Sequence, residues 1–272
     1  MDPANTDWYD LKSNVCIGKG DFTCAVASLE EVFSIDSTKA DTSFYAKILY
    51  AAQQKPDTAK YLMWAKRGAA KYDSRADILE ELAIAYGWAG QTDSSVATAR
   101  KMIMLDDTKT TAFGRIVKSL VDGKKYTEAA SLAPTVKGLS DADAKEDYAG
   151  LLFAGVQELV KVKPVDNPTL VALSEAILAV GPKNQNLITY GNYFMVFGLQ
   201  ASLSEQSQAL RTPAATCEST KQYEALVNKL EPALKIVAAS SNADIAKYGG
   251  GLLAIIPGER TAVATQLAKF CK

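Results

Sequence analysis

The chain has 272 residues, 48% of them apolar, with 30 basic against 31 acidic side chains and a net charge of −1. That length supports one large or two ordinary domains with a substantial core, and the charge balance argues against a nucleic-acid-binding surface, which normally carries a basic excess. Histidine is absent, which excludes Ser-His-Asp and Cys-His nucleophiles, the HExxH zinc helix and histidine-bearing zinc fingers, and lowers the expectation of an enzyme.

In chain order, the opening MDPANTDW has neither the charged nor the apolar region of a signal peptide. The expectation is a cytoplasmic protein or the mature form of an exported one. The stretch from Val15 to Asp36, VCIGKGDFTCAVASLEEVFSID, holds two cysteines eight positions apart around a GKGD turn. A phosphate loop needs GxxxxGK[ST] after a strand, so GKGD reads as a helix elbow. Cys16 and Cys24 lack the CxxC spacing of zinc ribbons and thioredoxin-type sites.

Almost nothing reads as strand. Apolar residues recur at helical spacing in short blocks separated by turns. The clearest block is Asp77 to Asp107, DILEELAIAYGWAGQTDSSVATARKMIMLDD. Leu79, Leu82, Ala83 and Tyr86 mark a first helix, Gly90 a turn, Asp93 a cap, and Ala99, Met102, Ile103 and Leu105 a second helix. The same register fits Val15–Asp36, the residues around Tyr45, Ile48, Leu49 and Ala52 with a Pro56-Asp57 turn, and Phe113 to Leu139. Units then end near Asp36, Asp73, Asp106 and Asp141, at spacings of 37, 33 and 35 residues.

A fifth, looser unit predicts helices over 143–160 and 168–180, ending at Gly181-Pro182. From Lys183 the period fails. Helices are expected over 185–203, 219–239, 242–255 and 259–270, with a polar loop at 204–219 whose Ser/Thr content would suit O-linked sugar. Gly249-Gly250-Gly251 is expected at a close helix crossing or a break. The longest apolar runs, Tyr193–Leu199 and Gly251–Ile256, fall far short of the roughly 20 residues that span a bilayer, so no transmembrane segment is expected.

A period near 34 residues, with GDFTCA (Gly20–Ala25), AYGWAG (Ala85–Gly90) and KKYTEA (Lys124–Ala129) at its turns, resembles the tetratricopeptide repeat family. The resemblance covers about residues 8–140 and weakens towards 182; Ser37, Asp73 and Asp107 stand where the closing proline is usual. It implies an all-α, right-handed superhelical solenoid of antiparallel helix pairs over 1–182, and an irregular helical cap over 183–272. In that register Cys16 and Cys24 face each other across one elbow. A disulfide is expected there, with buried free thiols as the alternative. Cys217 and Cys271 would form a second bridge closing 54 residues, worth about 3–4 kcal/mol. Four cysteines that pair off favour an exported, periplasmic or extracellular chain.

The resemblance also implies a concave side lined by first helices. Its candidate contacts are Asp10, Asn14, Ile17, Glu80, Ile84, Gly87, Trp88, Lys118 and Val121. Trp88 is a candidate anchor for a partner peptide, its alternative being packing against the next repeat. The expected function is a non-enzymatic scaffold for a protein or peptide partner, without cofactor or metal. The alternatives are end-to-end self-assembly with copies of itself into a filament, and a small-ligand binder or enzyme in the last third using Tyr190, Tyr193, Glu205 and Arg211. The pairs Glu30-Glu31, Glu80-Glu81, Lys66-Arg67 and Lys124-Lys125 read as solvated helix faces. No calcium-loop pattern surrounds Asp36, Asp41, Asp141 or Asp143.

Overall fold

The computed structural model describes residues 4–54, 57–212 and 215–271. Among them every regular element is a helix and none is a strand, the all-α class expected from the apolar spacing. Pro56, half of one expected turn, lies outside the described residues. Contacts group the chain into two compact units, Met1–Leu120 and Val121–Lys272, a division that follows contact density and not the sequence period.

The first unit is a run of helix pairs: α1 (Thr6–Gly18) with α2 (Phe22–Ile35), α3 (Thr42–Gln54) with α4 (Thr58–Lys71), and α5 (Ala76–Trp88) with α6 (Thr92–Leu105). The next first helix, α7 (Thr110–Asp122), begins in this unit and crosses the boundary. The elbows have local causes. Gly20 and Gly90 take φ of +72° and +71°, the left-handed region that a side chain resists. Asp21 Oδ1 accepts the Cys24 N–H at 3.0 Å, and Asp57 Oδ1 accepts that of Lys60 at 3.0 Å, each satisfying an orphan donor at a helix start. The third elbow departs from expectation: Gln91, not Asp93, precedes α6, and it makes no side-chain cap. Cys16 and Cys24 are disulfide-bonded across the first elbow, their Cα atoms 5.8 Å apart.

Pairs are joined by a turn that repeats. Asp36 and Asp106 sit at φ/ψ of −148°/95° and −148°/97°. Each accepts both the backbone N–H and the hydroxyl of the threonine two residues on, at 2.9 and 2.6 Å for Thr38 and 3.0 and 2.6 Å for Thr108. These hydrogen bonds, the hydroxyl's foremost, hold both carboxyls below their ordinary range. The two turns are 70 residues apart, two periods and not one.

Between the turns the core is aromatic. Trp64, 1% exposed, meets Phe33, Phe44 and Tyr45 edge-on at centroid distances of 5.1 to 6.5 Å. The Arg67 guanidinium lies over the rings of Trp64 and Phe33 at 4.8 and 5.0 Å, so this residue is more than the solvated charge expected of Lys66-Arg67.

The second unit comprises α8 (Tyr126–Ala130), α9 (Ala133–Lys137), α10 (Ala142–Leu159), α11 (Asn167–Ala179), α12 (Gln185–Ala209), α13 (Cys217–Ala238), α14 (Ala243–Leu253) and α15 (Ile256–Phe270). The single second helix expected over Tyr126–Leu139 is broken in two. Pro134 has no N–H to give the carbonyl of Ala130, four residues back. The Tyr148 hydroxyl donates there instead, at 3.2 Å, and to the Ala129 carbonyl at 2.8 Å.

The polar loop expected at 204–219 is helix in its first part, because α12 runs on to Ala209. Leu203, Ser207 and Leu210 are buried there, and the intervening Glu, Gln and Ala favour helix. The cluster built on α12, α13, α14 and α15 includes Tyr223, Val227, Leu230, Leu234 and Val237. Gly249 marks the close crossing of α14 on α13, where a Cβ would stand 2.7 Å from the Ala238 nitrogen, whereas Gly250 and Gly251 face open space. Cys217 and Cys271 are disulfide-bonded, tying the chain's last turn to the start of α13.

Candidate functional site

The first helices α1, α3 and α5 are in register, and that register decides what each polar residue does. Asp10, fifth in α1, pairs with Lys47, sixth in α3. Glu80, fifth in α5, pairs with Arg115, sixth in α7, and with Lys109 at 3.3 Å. Asp10 and Glu80, both expected to contact a partner, are thus engaged with the following helix. Glu80 keeps only 12% side-chain exposure and is no solvated face.

The step from α3 to α5 differs. Its fifth position is Ala46, exposed, and its sixth is Glu81. No basic side chain pairs with Glu81 among the described residues. Among the described residues it accepts a hydrogen bond from the Tyr61 hydroxyl at 2.5 Å. Burial pushes the Glu81 carboxyl above its ordinary value, against the opposing Tyr61 bond; the Glu80 charge adds to the rise, and Arg115 and Lys109 counter it. Tyr61 is fully buried and its hydroxyl is likewise pushed up, by burial first and then by Glu81. Gln53 Nε2 lies 3.5 Å from the same hydroxyl.

Beside this cluster is a groove of about 220 Å³, lined by Gln53 of α3, Ile84, Gly87 and Trp88 of α5, and Arg115, Ile116, Ser119 and Leu120 of α7. Trp88 is 44% exposed, with its ring centroid 5.2 Å from that of Tyr61. The indole therefore packs against Tyr61 and leaves part of its surface open. Glu81 precedes Ile84 by one turn and Trp88 by two, so all three share a helix face.

Of the residues singled out from the sequence, Ile84, Gly87 and Trp88 come together in this groove. Asp10 and Asn14 line a separate cleft of about 390 Å³ between α1 and α3. Ile17 is half-buried and lines neither, and Lys118 is exposed on α7. Val121 is 7% exposed and faces Gly155 of α10, so it is a packing residue and offers no surface. Glu30 is also partnered, accepting from Lys60 at 2.7 Å and from the Trp64 indole at 3.4 Å. Sequence reasoning missed Gln53, Tyr61 and Arg115, and took for a solvated face the Glu81 that is partly buried against Tyr61. Numbering successive first helices from a common start would have shown Glu81 standing where Lys47 and Arg115 stand.

In the second unit Tyr190 and Tyr193 pack among Phe153, Phe194, Phe197 and Tyr248, and Glu205 is exposed. Arg211 reaches Glu259 at 3.4 Å, which also accepts from Ser207 at 3.0 Å and Tyr223 at 2.8 Å. Burial pushes the Tyr223 hydroxyl up to about 12, with the Glu259 bond adding to it. Among the described residues no cluster of three or more Cys, Asp or Glu side chains is gathered to hold a metal ion.

No family model matches the chain, and no curated protein matches it. Among solved structures it is similar to a tetratricopeptide repeat protein from Parabacteroides merdae ATCC 43184, at TM-score 0.43 and 13% identity over 92% of this chain and 98% of that one. At that distance the likeness transfers no function. The chain is a helical-repeat-like protein by its own architecture.

Proposed function

We propose that the chain is a non-enzymatic scaffold of the tetratricopeptide repeat kind, exported, that holds a segment of a partner protein in the groove of α3, α5 and α7. The observation that carries this reading is the exposed part of Trp88 beside Ile84, Ile116 and Leu120, on first helices of two successive pairs. An indole held by a ring neighbour yet partly open supplies contact area at little cost in side-chain freedom, which is what anchor positions need. Residues 1–182 supply the repeats in this proposal and 183–272 form an irregular helical end. Two disulfides support an oxidising compartment, and the absence of histidine supports a binding over a catalytic role. Among the described residues no helix is long and apolar enough to cross a membrane.

Capture from native extract on the immobilised full chain, compared with Trp88→Ala by quantitative mass spectrometry, tests it. At least one protein is expected to be lost from the variant. An unchanged set would overturn the groove as the binding surface.

A second reading, self-assembly, is supported by Trp8, Leu11 and Val15 on α1, exposed at 40%, 57% and 48% and spaced along one helix stripe. A species that stays monomeric in size-exclusion chromatography and negative-stain images across a concentration series would overturn it.

A further inference from the structure

We propose that Glu81 receives a basic side chain of the partner, so that the groove selects a segment bearing a lysine or arginine about three residues from an apolar residue. The inference rests on the groove as the binding surface and names the class of segment that the groove takes.

The register carries the case. At the steps from α1 to α3 and from α5 to α7, an acid on one helix is met by a base on the next, Asp10 by Lys47 and Glu80 by Arg115. At the step between them the base is missing. Glu81 offers a carboxylate, and Ala46 opposite it reaches no further than a methyl group. Among the described residues the groups that act on Glu81 have known partners. Tyr61 of α4 donates to one carboxylate oxygen, whereas Lys109 and Arg115 are held by Glu80. A largely buried carboxylate with a neutral donor and no base paired to it is a costly arrangement, relieved by a cation brought from outside. Burial raises the proton affinity of Glu81, in keeping with the lack of a paired base.

Geometry sets the spacing. Glu81 and Trp88 are seven residues apart on one helix, about 10 Å at 1.5 Å per residue. An extended segment covers that in about three residues at roughly 3.3 Å each. The groove of about 220 Å³ walled by Ile84, Trp88, Ile116 and Leu120 has room for one apolar side chain. The cation on Glu81 and the apolar group against Trp88 therefore act as two points of one recognition.

Selection of phage-displayed random linear peptides on the full chain, with affinities of the enriched peptides measured by fluorescence anisotropy, tests this. Enriched peptides are expected to carry Lys or Arg three positions from an apolar residue and to weaken against Trp88→Ala. They should weaken about tenfold against Glu81→Gln, which keeps an acceptor for Tyr61 but loses the charge. Ala46→Lys should cause a similar loss by supplying the base from within, at an exposed position that leaves Glu81 untouched. Peptides that depend on Trp88 but lack a basic residue, or that bind either of these variants undiminished, overturn the inference and leave the groove reading standing. No enrichment, or enrichment indifferent to Trp88→Ala, overturns both.

Discussion

The two units solve the packing of helices differently. Residues up to Leu120 repeat short helices of 13 or 14 residues, and the same Asp-x-Thr turn and acid–base step return along the chain. From Val121 on, helices run from 5 to 25 residues, and order comes from close crossings such as Gly249 against Ala238 and from a bridge across 54 positions. A repeat, then, is written in its connections. Where turns and steps recur, helix length is held; where they do not, each crossing needs its own device.

Each unit can be tested at its strongest point. Removing the aromatic hub with Trp64→Ala should cost about 3–5 kcal/mol, because the site is ringed by Phe33, Phe44 and Tyr45 and cannot collapse. Chemical denaturation followed by circular dichroism measures it, and a loss under 1 kcal/mol would deny the hub its role. The disulfides set the units apart through loop length. Cys217→Ser with Cys271→Ser releases a bridge of sequence separation 54 and should cost about 4 kcal/mol, whereas Cys16→Ser with Cys24→Ser releases one of separation 8 and should cost about 2.5 kcal/mol. The reverse order would show that the elbow, not the chain's end, depends more on its bridge.

Smaller effects separate crossing from helix propensity within α14. Gly249→Ala should destabilise by about 1–3 kcal/mol, since its Cβ would fall 2.7 Å from backbone, while Gly250→Ala should stabilise by about 0.5–1 kcal/mol. Equal effects at the two positions would remove the crossing as the cause. The least effect is expected from acid. Asp36 and Asp106 have lowered folded-state proton affinities, so their contribution is present above the ordinary carboxylate value near 3.8 and fades as pH falls through the lower folded one. Glu81 runs the other way: its proton affinity is raised, so its destabilising charge sets in as pH rises from about 4.5 through the folded value. Carboxyl titration by NMR should therefore place Glu81 above Asp36 and Asp106, and the opposite order would refute both assignments.

Much of the first unit is legible from residues alone, because its signals are local. Gly20 and Gly90 announce elbows and Leu79, Leu82 and Ala83 repeat at helical spacing, whereas the cap expected of Asp93 is absent and those of Asp21 and Asp57 show only in the structure. The break at Pro134 is also local, yet an apolar rhythm running from Tyr126 to Leu139 masks it. The end of α12 is hard to place because Ser204 and its polar neighbours resemble a loop until Leu203, Ser207 and Leu210 find something to be buried against. The groove is half visible. Trp88 and Ile84 stand out as apolar residues on an outward face, whereas Glu81 acquires meaning only beside Tyr61 and opposite Ala46, positions 20 and 35 residues away.

The alternating acid–base step also bears on the length of the chain. Excising α3 and α4 would bring Asp10 before Glu81, acid against acid. Excising α5 and α6 would set Ala46 before Arg115 and leave it nothing to hold. Only the loss of both pairs together returns Asp10 to a base, in Arg115. The array therefore keeps phase in steps of two pairs, so that viable shortened or lengthened forms should differ by about 70 residues and not by 35.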